Sequence, residues 1–322
     1  MQILKPLGAC ILAALFGMTS VHAQEFQKPI RFIVPFGAGG ATDALARMVA
    51  PRISKELGQS VIIENRTGAS GQIGTQLVKG GPSDGSVFLV TTEHPVVILP
   101  FITPDVGYAA ERDFQIVGKI ASLQWALSVP ATTGAKTLNE FVEYIKRDPV
   151  RANYAVPSVG GVPEMIGVVV GKKASMEMTV LPYAGGAAII PHLMGGQISS
   201  GVTGAPEAVN MQKTGKVNVL AISGIKRSAH LANVPTFEEL GFRGLTAESW
   251  FAVFAPKGLP RPMAERFNQA LRVALSEPEV QQKISDMSIQ AAPATLDEAA
   301  LDFREAVAFW RSASKAPSSE KR

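Results

Sequence analysis

From Ile30 onward, short runs rich in Val, Ile and Phe alternate with segments whose apolar residues recur at spacings of three and four. In the first part this predicts strands at 31–35, 60–64 and 86–91, with helices at 41–57 and 72–79. Leu45, Met48, Val49, Ile53 and Leu57 make one apolar stripe along the first helix, so that helix is expected to lie against a sheet. A long extended run, 114–129, ends at Pro130 and leads to a helix at 138–146. Strands at 153–156, 178–182, 201–203 and 217–223 follow, with helices at 163–172 and 187–194 between them. A second extended run, 245–255, precedes Pro256, Pro260 and Pro262, and helices at 263–276 and 296–312 close the chain.

This alternation is the pattern of parallel sheets covered by helices. The two long runs are awkward inside a single domain and read as hinge strands framing an inserted unit. The expected division is a first domain built from 24–125 and 249–322, with a second domain, 126–248, inserted into it. No repeat is visible, and the polar tail 317–322 is expected to fray.

The first 23 residues change the picture, because they have the form of a secretory signal. Met1 to Lys5 is a short positive region, Leu7 to Met18 is apolar, and Val21-His22-Ala23 resembles a cleavage site before Gln24. About 12 apolar residues are too few to span a bilayer, which takes about 20. Leu7-Gly8-Ala9-Cys10 imitates a lipoprotein box, but almost no apolar stretch precedes it. The expectation is therefore export to the periplasm with cleavage after Ala23.

Cys10 is the only cysteine and leaves with the signal, so stability has to come from packing rather than from disulfides. The remaining 299 of 322 residues, in a chain 46% apolar, suit two domains of ordinary size. The net charge of +4 is spread along the chain without basic runs or interleaved aromatics, a composition that does not point to nucleic acid.

Three catalytic or cofactor readings fail on context. Gly81-Pro82-Ser83-Asp84-Gly85 fits G-x-S-x-G, yet it follows a predicted helix and precedes a strand, the reverse of a nucleophile elbow. His94, His192 and His230 have no partner at metal-ligand spacing, so no metal site is expected. Gly37-Ala38-Gly39 opens a helix as a dinucleotide loop does, but Thr42 stands where the third glycine belongs, and no cofactor is expected. Glu64, at the place of a ribose-binding acid, is expected instead to help hold the turn 65–71.

What remains is a set of strand-to-helix turns. In IRFIVPFGAGGATD, an apolar strand breaks at Pro35 into a Gly-rich turn and then opens a helix. Gly37, Gly39 and Gly40 let the backbone approach a ligand, and the first N–H groups of the helix, at Ala41 to Asp43, face outward with the positive end of its dipole. Ser158-Val159-Gly160-Gly161 and Tyr183-Ala184-Gly185-Gly186 are similar turns in the second unit. All three belong to the carboxyl-terminal edges of their sheets, where open α/β folds bind ligands. The pattern favours binding over catalysis.

Pro35-Phe36-Gly37-Ala38-Gly39-Gly40-Ala41-Thr42-Asp43 with Ala46-Arg47, Gly58-Gln59, and Glu64-Asn65-Arg66-Thr67-Gly68-Ala69-Ser70-Gly71-Gln72-Ile73-Gly74 resembles the extracytoplasmic receptors of tripartite tricarboxylate transporters, the Bug family. The likeness runs on through Pro182-Tyr183, Gly195-Gly196-Gln197, Gly215-Lys216, Leu220-Ala221, Val234-Pro235-Thr236 with Glu239 and Gly241, Trp250, and Ala255-Pro256. It implies a two-domain periplasmic binding protein, a type II-like Venus flytrap with two hinge strands. Such a receptor is no enzyme: it closes on a small organic acid as a monomer and delivers it to membrane permease subunits. Carried over, the family's first carboxylate site maps onto Phe36, Gly39, Gly40, Ala41, Thr42 and Asp43. The rest of the ligand maps onto Val156, Ser158, Gly160, Gly161, Tyr183, Gly185 and Gly186.

Three positions depart from the family pattern. Val156 replaces a hydroxyl residue, Gly161 replaces Ser or Thr, and Ala184 replaces a common Lys. Fewer polar partners disfavour a tricarboxylate and favour a mono- or dicarboxylate with an apolar or aromatic body, with Ser158 able to restore one donor. A sensory receptor for the same ligand and a secreted enzyme of unknown type remain as alternatives.

Overall fold

The computed structural model describes residues 26–313 apart from 158, 184, 243, 244 and 247. The predicted signal with its junction at Ala23, the tail, Ser158 and Ala184 lie outside the described residues.

The chain opens with β1 (Ile30–Val34), α1 (Ala41–Leu57), β2 (Val61–Asn65), α2 (Gln72–Lys79), β3 (Val87–Thr92), α3 (Leu99–Ile102), α4 (Ala110–Asp113) and β4 (Phe114–Leu123). After Gln124 come β5 (Trp125–Pro130), α5 (Leu138–Arg147), β6 (Asn153–Val156), α6 (Val162–Ala174), β7 (Thr179–Pro182), α7 (Gly186–Met194), β8 (Gly201–Gly204), α8 (Ala205–Lys213) and β9 (Val217–Ile222). The chain then returns through β10 (Ser249–Pro256), α9 (Arg261–Ser276), α10 (Pro278–Asp286), β11 (Gln290–Ala291) and α11 (Leu296–Ala313).

These strands form two sheets, ordered β11-β4-β10-β3-β1-β2 and β7-β6-β8-β5-β9. Each has the same plan. Three parallel strands (β2, β1, β3 and β7, β6, β8) are followed by an antiparallel strand, β10 or β5, and then by β4 or β9. The chain crosses from the first sheet to the second at Gln124 and returns between β9 and β10. The long run 114–129 is thus two strands, one in each sheet, separated by a single residue.

The two crossings are tied together by a buried carboxylate. Glu93 accepts the Ser249 hydroxyl and the Trp250 N–H, while Ser249 Oγ accepts the indole N–H of Trp125 at 2.9 Å. Burial pushes the Glu93 carboxyl above its ordinary range against the pull of these donors. Gln124 locks the first crossing, donating to the carbonyls of Ser223 and Lys226.

One face of the first sheet packs under α1 and α9, with Phe32, Phe88 and Phe267 at its centre and the last two rings stacked at 4.3 Å. In α1, Leu45, Val49, Ile53 and Leu57 are buried as the stripe predicts. The opposite face opens into an apolar cluster that continues through Trp250 and Leu127 into the second sheet, where Tyr154 and Val156 pack against α6. Gly167 of α6 exists for that contact, since a Cβ there would lie 2.1 Å from the Tyr154 ring. Alanine normally favours a helix interior by about 1 kcal/mol, but overpacking costs about 1–3 kcal/mol. Gly167→Ala is therefore expected to lower the urea midpoint of unfolding, and an unchanged or raised midpoint would overturn this account of the packing.

Candidate functional site

Because β1, β2 and β3 run parallel, as do β6, β7 and β8, their carboxyl-terminal ends lie on one edge of each sheet. The three Gly-rich turns stand on these edges.

In the first turn Gly39 adopts φ +81°, the left-handed conformation that favours glycine, whereas Gly40 is the extended N-cap of α1 at φ −74°. No side chain caps the helix, and its backbone ladder starts with Ala44 N–H donating to the Gly40 carbonyl. The N–H groups of Ala41, Thr42 and Asp43 precede that ladder. Gly37, Gly39, Gly40 and Ala41 are exposed, Phe36 is half-buried, and the Thr42 and Asp43 side chains are buried.

Asp43 therefore serves the turn from within. Its carboxylate accepts the Gly39 N–H at 2.9 Å, the Arg47 Nε at 2.9 Å and the Asn65 amide at 3.0 Å. Asn65 also donates to the Phe36 carbonyl at 3.0 Å, fixing the entry of the turn to the end of β2. The Arg47 guanidinium, followed by burial opposing it and then the Gly39 N–H, sets a balance that holds the Asp43 carboxyl down at about 2. In the sequence Asp43 reads as a ligand residue and Asn65 only as part of the family motif; their contact carries no local signal, because the partners of Asn65 lie 22 and 29 residues away.

The turn before α6 repeats the device. Gly160 adopts φ +77°, Gly161 is the N-cap, and the Glu164 carboxylate accepts the Gly160 N–H at 2.6 Å. Gly160 also faces Ile102 of α3, whose Cδ1 is 3.0 Å from the position a Cβ would take, so the two sheet units approach each other here. Val156 is fully buried in the apolar cluster, so its side chain belongs to the core and only its backbone serves the turn. Its carbonyl accepts the Tyr183 N–H at 2.9 Å, which joins this turn to the next. Tyr183 is half-buried against His192, ring to ring at 5.2 Å, and Gly185 caps α7 at φ +98° with Gly186 as its first residue.

The other sequence candidates resolve locally. Asp84 accepts the Ser86 N–H and pairs with Lys28, so 81–85 is a turn between α2 and β3. Glu64 pairs with Arg31 and with Arg66 of the turn it was expected to hold. His230 meets Ser285 Oγ and His192 meets the Ala188 carbonyl. Among the described residues no group of three or more His, Cys, Asp or Glu could hold a metal, and no helix is long and apolar enough to cross a membrane. Shallow hollows of 430 Å³ beside Asn139 and Tyr144 and of 390 Å³ beside Pro51 and Ile63 lie away from the second-unit turns.

Residues 45–301 match the profile described as Tripartite tricarboxylate transporter family receptor. The chain belongs to that family. It is 30% identical over 305 residues to the UPF0065 protein in the tcbD-tcbE intergenic region of Pseudomonas sp. strain P51, covering 93% of this chain and 90% of the relative. A structure titled as a periplasmic transporter superposes with TM-score 0.77 at 31% identity, covering 90% of this chain and 97% of the other. Rpa4515 of R. palustris, solved with adipate, gives TM-score 0.77 at 27% identity over 90% and 97% of the two chains. MatC of Rhodopseudomonas palustris, with bound malate, gives 0.74 at 25% over 90% and 99%. The family consists of periplasmic solute-binding receptors rather than enzymes, and the α/β architecture with two sheets is that of a two-domain binding protein.

The Asp43 network makes a testable claim. A carboxyl lowered in the folded state adds stability that is complete above about pH 4 and is lost as the pH falls toward about 2. Asp43→Asn is expected to cost about 1–3 kcal/mol at neutral pH. Melting curves should show the gap between variant and wild type narrowing across that acid window; a gap independent of pH would assign the loss to something other than the charge.

Proposed function

We propose that this receptor captures a small carboxylic acid in the periplasm and delivers it to the membrane permease of a tripartite tricarboxylate-type transporter. The observation that carries the reading is the turn 36–43, where a rigid internal network leaves the first N–H groups of α1 outside the helical ladder. One ligand carboxylate sits there on Phe36, Gly39, Gly40, Ala41, Thr42 and Asp43, the last through its N–H rather than its side chain. The backbone at Val156, Gly160, Gly161, Tyr183, Gly185 and Gly186, together with Ser158, holds the remainder. Relatives solved with adipate and malate support a carboxylate of this size.

The signal is removed after Ala23, and 24–125 with 249–322 closes against 126–248 about the two crossings. The receptor acts as a monomer. Gly161 and Ala184 bring no side-chain donors to the second unit's turns, so a second or third carboxylate buried there would lack partners at a cost of several kcal/mol. Apolar ligand surface would gain about 25 cal/mol per Å² instead. The preferred ligand is a mono- or dicarboxylate with an apolar or aromatic body.

A thermal-shift screen over mono-, di- and tricarboxylates and aromatic acids tests this, since a ligand at 100 times its Kd stabilises by about 2.7 kcal/mol. Calorimetry should then rank citrate below the best such acid. Gly40→Val tests the seat itself: φ is ordinary for any residue and the nearest atom to the new Cβ, the Gly37 carbonyl oxygen, is 3.3 Å away. The variant should fold and lose at least about tenfold in affinity; unchanged binding would move the site elsewhere. Small-angle scattering should record a smaller radius of gyration with saturating ligand, and an unchanged profile would argue for a rigid pocket.

A further inference from the structure

We propose that Glu207 is a specificity residue of this cleft and selects acids whose far end carries a nitrogen donor, an ammonium or an amide N–H. The inference rests on the carboxylate-receptor reading above and adds the chemistry of the ligand's other end.

Three helices that open from the strand edges carry an acid at their third residue: Asp43 in α1, Glu164 in α6 and Glu207 in α8. The first two turn back onto the N–H of the glycine just before the N-cap, Gly39 and Gly160. Glu207 has no such glycine, because Thr203 of β8 stands at that place. Among the described residues its carboxylate meets no cation and no donor except its own N–H. Serving the dipole of α8 explains an acid at this position, but it leaves most of the carboxylate's acceptor sites unfilled.

The placement is that of a ligand group. Glu207 Oε2 lies 2.8 Å from where a Cβ would stand on Gly204, and Oε1 lies 3.0 Å from the same point on Gly186. It therefore spans the ends of β8 and the Tyr183–Gly186 turn. Gly204 pairs with Trp125, the first residue after the crossing, and Leu123 Cδ1 is 3.4 Å from its Cβ position, so this carboxylate stands where the two sheet units meet. The absent side chains of Gly186 and Gly204 make the room it occupies. Glu207 itself is half-buried at this place. Burial raises the Glu207 carboxyl above its ordinary range, as expected for a charge lacking its counterpart. An ammonium brought here would form a charge-assisted hydrogen bond, whereas a second carboxylate would meet like charge.

Matched acids that differ only at the far end separate these cases: ε-aminocaproate, adipate and heptanoate, and the aromatic set p-(aminomethyl)benzoate, terephthalate and p-ethylbenzoate. Calorimetry on the purified protein should show the amine of at least one set binding about tenfold or more tighter than both of its partners. Glu207→Gln, which keeps the shape, and Glu207→Ser, which removes it, should each erase most of that preference while their melting temperatures report that they fold. A wild type that prefers the carboxylate or alkyl member in both sets, or variants that keep the amine preference, would overturn the role of Glu207 alone. Binding by none of these acids would overturn the carboxylate reading together with it.

Discussion

An anion seat made from backbone needs N–H groups that are unpaired and yet immobile, and the contact that meets both demands is the carboxylate at the third helical residue accepting a glycine N–H from outside the helix. Asp43 does this for Gly39 and Glu164 for Gly160. In both turns the glycine that donates to the acid has a positive φ, and the N-cap between glycine and acid is itself a glycine. The turn is thereby fixed by its own helix; in α1 the N–H groups of residues one to three stay outside the ladder, whereas in α6 Pro163 has no N–H and the Glu164 N–H donates to the Gly161 carbonyl. Asn65 adds the tertiary restraint, joining Phe36 and Asp43 to the neighbouring strand.

The same economy of contacts governs the crossings. Both sheets share one plan, and the antiparallel strand of each is the first strand laid down after a crossing, so the first sheet is complete only when the chain has crossed twice, whereas the second is complete before the chain returns. Glu93 fixes where the crossings sit relative to each other, through Ser249, Trp250 and the indole of Trp125. A buried carboxylate without a cation is costly, and its donors offset only part of that cost.

The βα alternation, the stripe of α1 and the Gly-rich turns were legible because each rests on local periodicity or on glycine. Helix α8 was not, since Pro206 and Glu207 with Asn210, Gln212 and Lys213 leave only Ala205, Ala208, Val209 and Met211 as a buried apolar face. Strand β11 has two residues and exists through its pairing with Ser122 and Ala121 of β4. Val156 is a candidate through the family pattern; in the fold it shares a face with Tyr154, whose ring fills the groove left by Gly167, so its side chain lies in the core. Glu207 went unmarked with its helix, and that it faces two glycines at a sheet edge is a fact of packing between α7 and α8.

These features together decide how selectivity can arise. Arg47, which pairs with the Asp43 of the first turn, also donates to Asn65 and is an element of the scaffold. Under the proposed function, a carboxylate seated on Ala41 to Asp43 would be held by fixed dipoles at hydrogen-bond range rather than by a mobile point charge, an interaction that salt screens little and that demands a particular orientation of the oxygens. Such a seat recognises a carboxylate but does not distinguish one acid from another, because every candidate ligand offers the same two oxygens to it. In the proposed receptor, discrimination would then come from the other unit, where the side chain that enters the gap left by Gly186 and Gly204 is an acid.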